Sequence, residues 1–154
     1  ITVTADPPSG PSVNDAATAN FTANGGTPVP SPVTISTLVN QQPSDSAPGP
    51  TVSVGGTATI SYIVTNNDGN LNYSNVVVTD DNETPTDPSD DFSPSLASGD
   101  VNFNGRLDVG EVWIYTQSIS NVTTGQHTRG ITVTANPPSG LGVQDNGTVN
   151  FVGG

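Results

Sequence analysis

Residues 57–64 read TATISYIV, and this stretch decides the fold class. Polar Thr and Ser alternate in it with an apolar series made up of Ala58, Ile60, Tyr62 and Val64. Successive side chains of a β-strand point to opposite faces, so the alternation predicts a strand with one face buried and one face in solvent. Residues 66–70, NNDGN, follow at once, and their Asn, Asp and Gly favour the left-handed backbone of a tight turn.

Similar strand patterns occur on both sides of this stretch. They cover Val33–Val39, Val76–Thr79, Trp113–Ile119, Ile131–Ala135 and Val149–Phe151. No segment shows a sustained apolar period of 3.6 residues, so no helix is predicted. About seven short strands separated by Gly, Pro and Asn are typical of an all-β Greek-key sandwich.

The charge of the chain excludes several classes of partner. There are 14 acidic residues against two arginines, and the net charge is −12. Nucleic acids and anionic membranes need cationic side chains, so neither is predicted as a partner. A polyanion of this kind instead attracts divalent cations.

The composition also indicates where the chain works. It has no Cys and no Met, which removes disulfides, thiol chemistry and the most oxidisable side chains. No apolar stretch approaches the roughly 20 residues of a membrane-spanning helix, so no membrane insertion is predicted for this segment. These features favour an exposed, extracellular location.

An internal repeat organises the chain. Residues 1–10 read ITVTADPPSG and residues 131–140 read ITVTANPPSG, a spacing of 130 positions. The match continues without gaps to Asn20-Phe21 and Asn150-Phe151. A single repeat at this distance indicates duplication of a whole domain rather than a solenoid of small units.

The repeat predicts three segments. Residues 1–24 are interpreted as the last two strands of a preceding or neighbouring module, either continuous with it or donated to it. Residues 25–32, GGTPVPSP, have the composition of a semi-extended linker. Residues 33–154 are then the β-sandwich module itself, with identical or homologous modules as its partners.

Residues 100–111, DVNFNGRLDVGE, have the ligand spacing of a twelve-residue calcium loop. The predicted metal ligands are Asp100, Asn102, Asn104, the backbone carbonyl of Arg106, Asp108 and Glu111. All of them offer the hard oxygen atoms that calcium prefers, and a glycine stands at the sharp turn of the loop. The flanking residues are not helical in pattern, so the loop is predicted to join two strands. The alternative is an Asx-rich turn without metal.

Other acidic and aromatic residues are weaker candidates. Asp80 and Asp81 begin an acidic connection and could form a second metal site, or simply belong to a solvated loop. Trp113 could stack on a sugar, but its alternation with Tyr115 is more typical of a core residue. His127 is the only histidine, and its polar neighbours predict an exposed strand start, so a Ser-His-Asp set is not predicted. No apolar pocket is indicated around a carboxyl. The chain is therefore not predicted to be an enzyme.

Three stretches resemble one known family. They are residues 46–67, residues 74–81 (SNVVVTDD) and residues 99–115 (GDVNFNGRLDVGEVWIY). Together they resemble the conserved immunoglobulin-like repeat domain found in tandem in giant bacterial and archaeal cell-surface proteins, and the resemblance covers about residues 33–154. It implies an extracellular stalk, adhesin or sheath component with a calcium-binding loop, and it does not imply an enzyme. We expect the module to belong to a surface stalk or self-assembling filament whose neighbouring copies are held end to end by strand packing. The alternative that it leaves open is an adhesive, carbohydrate-binding module.

Overall fold

The computed structural model describes residues 2–5, 13–16 and 30–154, and for the first two segments it describes only the backbone. This part of the chain contains eleven β-strands and no helix. The strands are β1 (Thr2–Ala5), β2 (Val13–Ala16), β3 (Val33–Val39), β4 (Gln42–Pro43), β5 (Thr51–Val52), β6 (Thr57–Asn66), β7 (Ser74–Asp80), β8 (Ser95–Ser98), β9 (Val112–Ser120), β10 (Gly125–Asn136) and β11 (Val143–Gly153).

Nine of these strands form two sheets. One sheet has the order β4-β3-β6-β9-β8 and the other has the order β5-β11-β10-β7. All neighbours pair antiparallel except β5, which pairs with β11 in parallel. The prediction of an all-β sandwich is confirmed.

The strand β6 lies at the centre of its sheet, between β3 and β9. Its side chains alternate between the interior and the outer face, and Ile60, Tyr62 and Val64 have no exposed surface. Placing one polar and one apolar face on the same strand fixes its register, because a slip of one residue would reverse both faces.

The core fills the space between the two sheets. Both sheets contribute to it, and its largest fully buried side chains are Tyr62, Tyr73, Phe151, Ile60, Leu107, Ile131, Val33, Val39, Val64, Val78, Val133 and Val149. Leu107 lies on a loop rather than on a strand, so at least one connection is anchored by the core.

The N-terminal hairpin repeats the pairing of β10 and β11. Thr2 lies opposite Ala16, and Thr132 lies opposite Asn146, so the second pair follows the first by 130 positions. The three other pairs of the short hairpin obey the same shift. The described residues of the first copy, 2–5 and 13–16, therefore have the same strand register as their equivalents in the second. Residues 1, 6–12 and 17–29, which include most of the predicted linker at 25–32, lie outside the described part of the chain.

The register also defines two ends of the sandwich. The chain enters at Val33, which lies opposite Asn66, and leaves at Gly153, which lies opposite Gly125. We call these the leading end and the trailing end. The leading end is formed by the connections 67–73, 99–111 and 137–142, which all join strand ends on that side. The predicted calcium loop therefore lies at the leading end.

Candidate metal-binding loop

The loop 99–111 joins β8 to β9, so it connects two strands as predicted. It begins at Gly99, whose φ of +117° is in the left-handed region, and a Cβ there would come 2.2 Å from the Val112 carbonyl oxygen. Near its other end, Leu107 pairs with Tyr73 through two backbone hydrogen bonds and is fully buried. The loop is thus held at its start and towards its end by the sandwich.

The first half of the loop is organised by its own side chains. Asp100 accepts hydrogen bonds from the N–H groups of Asn104 (3.1 Å) and Gly105 (2.9 Å). Asn102 Oδ1 also accepts from the Asn104 N–H, and Asn104 Oδ1 accepts from the Arg106 N–H. Short polar side chains that bond the backbone two residues on are a common way of tightening a turn. Hydrogen bonds from the backbone to the predicted ligand side chains therefore hold this half of the loop in a tight turn.

Asp108 collects the next set of contacts. Its Oδ2 accepts hydrogen bonds from the side-chain amides of Asn102 (2.7 Å) and Asn104 (2.8 Å). Its Oδ1 is buried and has no hydrogen-bond partner. A buried carboxylate oxygen without a partner is costly, so each one calls for a physical explanation. A cation bound by the loop oxygens would supply the missing partner.

Glu111 closes the loop. Its Oε1 accepts from the Val101 N–H, and its Oε2 accepts from the Asp108 N–H and from the Trp113 indole N–H, at 3.0–3.1 Å. A carboxylate has about four lone-pair sites, so these three bonds leave one of them free. Bidentate coordination of a metal by Glu111 therefore requires at least one of these bonds to be released.

The six predicted ligands are only partly brought together. Side-chain hydrogen bonds join Asn102 and Asn104 to Asp108, whereas Arg106 is exposed. In the part of the chain that the structure describes, no group of three or more His, Cys, Asp or Glu residues is arranged to hold a metal ion. The chemistry of the donors fits a hard divalent cation, and the orphaned oxygen of Asp108 is the structural observation in its favour.

The predicted second site has a different environment. Asp80 is fully buried, and its carboxylate accepts hydrogen bonds from the Tyr62 hydroxyl, the Arg129 guanidinium (3.1 Å) and the Asn82 N–H (2.8 Å). Asp81 accepts a hydrogen bond from the Glu83 N–H. A metal at Asp80 and Asp81 stays a prediction, and the occupied oxygens of Asp80 favour a structural role instead.

Arg129, Glu83 and His127 form a cluster of titratable side chains around Asp80, in which Asp80 and Arg129 are buried and Glu83 is partly exposed. Arg129 is 5% exposed, and its Nε lies 3.5 Å from Glu83 Oε1. His127 Nδ1 lies 3.0 Å from the same oxygen, and the imidazole stacks on the Phe151 ring with centroids 4.5 Å apart. Burial and the adjacent Asp80 carboxylate raise the pKa of the Tyr62 hydroxyl well above its usual value.

This cluster was not among the predicted sites, although the sequence contains a signal for it. Arg129 is two residues before Ile131 and four before Val133, so period-two counting places it on the buried face of β10. A buried Arg requires a paired carboxylate, and Asp80 follows Val78 on the same face of the neighbouring strand β7. The alternation of buried and exposed positions in β7 and β10 thus includes charged residues as well as apolar ones.

Trp113 lies in the core. It is 5% exposed, tilts against the Tyr115 ring and donates its indole N–H to Glu111. A ring in this position offers no free face to a sugar, so its role is to couple the loop to the core.

Comparisons with known proteins place no further constraint on the chain. No protein-family model matches it, and no curated protein matches it in sequence. No long apolar helix that could cross a membrane is found among the residues that the structure describes.

Proposed function

We propose that this chain is part of a structural, calcium-stabilised repeat protein that forms an extracellular surface stalk or a self-assembling filament. Copies of the module 33–154 follow one another end to end. The observation that carries the proposal is the repeated hairpin, because β1 and β2 reproduce the register of β10 and β11 at a shift of 130 positions. A duplicated terminal hairpin is what the boundary between two tandem copies produces.

We infer that the module is immunoglobulin-like. If the strands β3, β6, β7, β8, β9, β10 and β11 are labelled A to G, one sheet reads A-B-E-D and the other reads G-F-C. This is the division of strands between the two sheets of the immunoglobulin fold. The short strands β4 and β5 add to the outer edge of each sheet.

We propose that the loop 99–111 binds a calcium ion. The backbone carbonyl of Arg106 would be one ligand. Side-chain oxygens would come from Asp100, Asn102, Asn104, Asp108 and Glu111. The ion would neutralise carboxylates at the leading end and give Asp108 Oδ1 a partner. Loops of this type in extracellular modules bind calcium with dissociation constants of about 0.1–1 mM, which corresponds to a response to external calcium.

Thermal unfolding of the chain in calcium and in chelator tests this part of the proposal. At a free calcium concentration ten times the dissociation constant, binding stabilises the fold by about 1.4 kcal/mol. For a domain of this size, that raises the unfolding temperature by about 4–8 °C. Asp100→Asn should abolish the increase, while Asp87→Asn, at an exposed aspartate on another loop, should retain it. An equal response of the two variants would remove the loop from the proposal.

Sedimentation of the chain distinguishes the two forms of end-to-end linkage. If residues 1–24 are donated to a separate subunit, the chain will associate with itself as its concentration rises, because strand addition joins subunits through backbone hydrogen bonds. If tandem copies are continuous in one polypeptide, the chain will stay monomeric. Association that persists after deletion of residues 1–24 would contradict strand donation.

A further inference from the structure

The exposed apolar residues of the module are unevenly distributed. Among residues 30–154, nine large apolar side chains are exposed, and six of these lie at the leading end: Leu71, Val101, Phe103, Val109, Val112 and Leu141. Phe103 and Leu141 are 90% and 91% exposed. Of the nine, one residue, Val54, lies at the trailing end.

Two of the connections that carry these residues are hydrogen-bonded to each other. The Val109 N–H donates to Asn72 Oδ1 at 3.0 Å, which joins the calcium loop to the connection 67–73. The Asn66 side-chain amide donates to the carbonyls of both Leu71 and Leu107. The start of the connection 137–142 is held by a bond from the Ser74 hydroxyl to the Asn136 carbonyl. The loops 67–73 and 99–111 are therefore joined by a hydrogen bond, and the connection 137–142 leaves β10 beside the start of β7.

Isolated exposed apolar residues are normal on a protein surface, whereas a group of them marks an interaction site. Six exposed apolar side chains lie at the leading end and one lies at the trailing end. This uneven distribution indicates that another protein surface packs on the leading end.

The repeat identifies that surface. By the shift of 130 positions, Gly153, the last residue of β11, corresponds to Ala23. Residues 24–32 therefore connect the final strand of the preceding copy to Val33 at the leading end. An extended segment of this length spans at most about 35 Å. The trailing end of the preceding copy is thus always within reach of the leading end of the next.

We propose that the leading end of each module docks on the trailing end of the preceding copy, and that Phe103 and its apolar neighbours form the contact. This inference rests on the proposed function, since it requires copies in tandem. A short linker holds the two ends at an effective concentration on the order of millimolar, so a small apolar contact is sufficient. Because Phe103 and Val109 flank the predicted ligands Asn104 and Asp108, calcium that orders the loop also orders the docking surface.

A two-copy protein tests the docking. Placing residues 25–130 in front of residue 1 completes an upstream copy, whose last two strands are residues 1–24, and retains the whole chain downstream. The chain has no cysteine, so Thr4→Cys and Thr134→Cys provide one spin-label site in each copy, at equivalent positions of the repeat. The distance distribution between the two labels is then measured in calcium.

Docked copies will give a single narrow distribution. Phe103→Ser combined with Val109→Ser in the downstream copy will broaden it. The same pair of substitutions in the upstream copy will not, because the leading end of that copy has no neighbour. Thermal unfolding of the single chain checks that the substitutions leave the module folded. A broad distribution before substitution, or equal broadening from the two copies, would overturn the proposal.

The failure of docking and the failure of calcium binding have separate signatures. A single chain that responds to calcium, together with a broad distance distribution, refutes docking alone. A narrow distribution that depends on Phe103, in a chain that does not respond to calcium, supports docking and refutes the calcium part of the proposed function.

Discussion

Two acidic regions of this molecule differ in the groups that contact their carboxylates. Asp80 and Glu83 lie against Arg129 and His127, and the carboxylate of Asp80 is fully buried. The loop 99–111 is largely exposed, and its carboxylates accept hydrogen bonds from N–H groups of the loop itself and of Trp113. Among the described residues, the ion pairs of these carboxylates are made by Arg129, and the imidazole of His127 lies beside Glu83.

The difference follows from the scarcity of cations. The chain has two arginines and one histidine for 14 acidic residues, and one cluster holds Arg129 and His127 together. The carboxylates of the loop are left with neutral donors, and Asp108 is left with an unpartnered oxygen. The first region contains its own cation, Arg129, and under the proposed function the loop would take an external one. This contrast can be tested directly by substitution.

The largest effect is expected from Arg129→Met. Removal of one partner from a buried ion pair leaves an uncompensated charge and costs about 3–5 kcal/mol. The free energy of unfolding, measured by urea denaturation, should fall by this amount. Arg106→Met, at the exposed arginine of the loop, should change it by less than about 0.5 kcal/mol. Similar losses from the two variants would remove the contrast between the regions.

Alkaline pH should weaken the same cluster. The pKa of Tyr62 is raised by burial and by Asp80, and burial raises the pKa of Tyr115 to about 12. In the unfolded chain both hydroxyls lose their protons near pH 10. The unfolded state therefore binds fewer protons above that pH, and stability falls as the pH rises. The loss from Tyr62 is up to about 1.4 kcal/mol per pH unit.

The measurement is the free energy of unfolding between pH 9 and pH 11.5. Tyr62→Phe will be less stable at neutral pH, since Asp80 loses a hydrogen bond, but its stability should decline less steeply with pH. An unchanged alkaline slope in Tyr62→Phe would contradict the role of this hydroxyl.

Asp108→Asn probes the loop and should act in opposite directions in calcium and in chelator. In chelator the substitution removes a partly buried negative charge, so the free energy of unfolding should not fall. In calcium it removes a ligand, and the variant should be less stable than the parent by about 1.4 kcal/mol. Calorimetry in the two buffers checks both signs. A loss of the same size in chelator would indicate a purely structural role.

The smallest effect is expected at the solvent-facing edge of the cluster. Glu83 is partly exposed and contacts His127 and Arg129. Pairs that remain accessible to solvent contribute about 0.2–1 kcal/mol, so Glu83→Gln should lower the free energy of unfolding by no more than this. Urea denaturation beside Arg129→Met provides the comparison. A loss above about 2 kcal/mol would extend the buried cluster to Glu83.

Much of this architecture was predictable from local pattern. The alternation in residues 57–64 predicted β6, and the non-helical pattern on both sides of residues 100–111 predicted a loop between strands. Side-chain period and turn chemistry are properties of short segments. The repeat at a spacing of 130 predicted that residues 1–24 and 131–154 form equivalent strands, and the register agrees for the described residues 2–5 and 13–16.

The tertiary structure decided which charges meet. Asp80 and Arg129 are 49 positions apart and come together because β7 pairs with β10. The same assembly gathered three separate connections at the leading end, where Phe103 and Leu141 are exposed. The sequence alone determined the strands and the composition of the loop, because each depends on neighbours along the chain. Charge compensation and the shape of the two ends depend on partners distant in sequence, and the pairing of the sheets selects those partners.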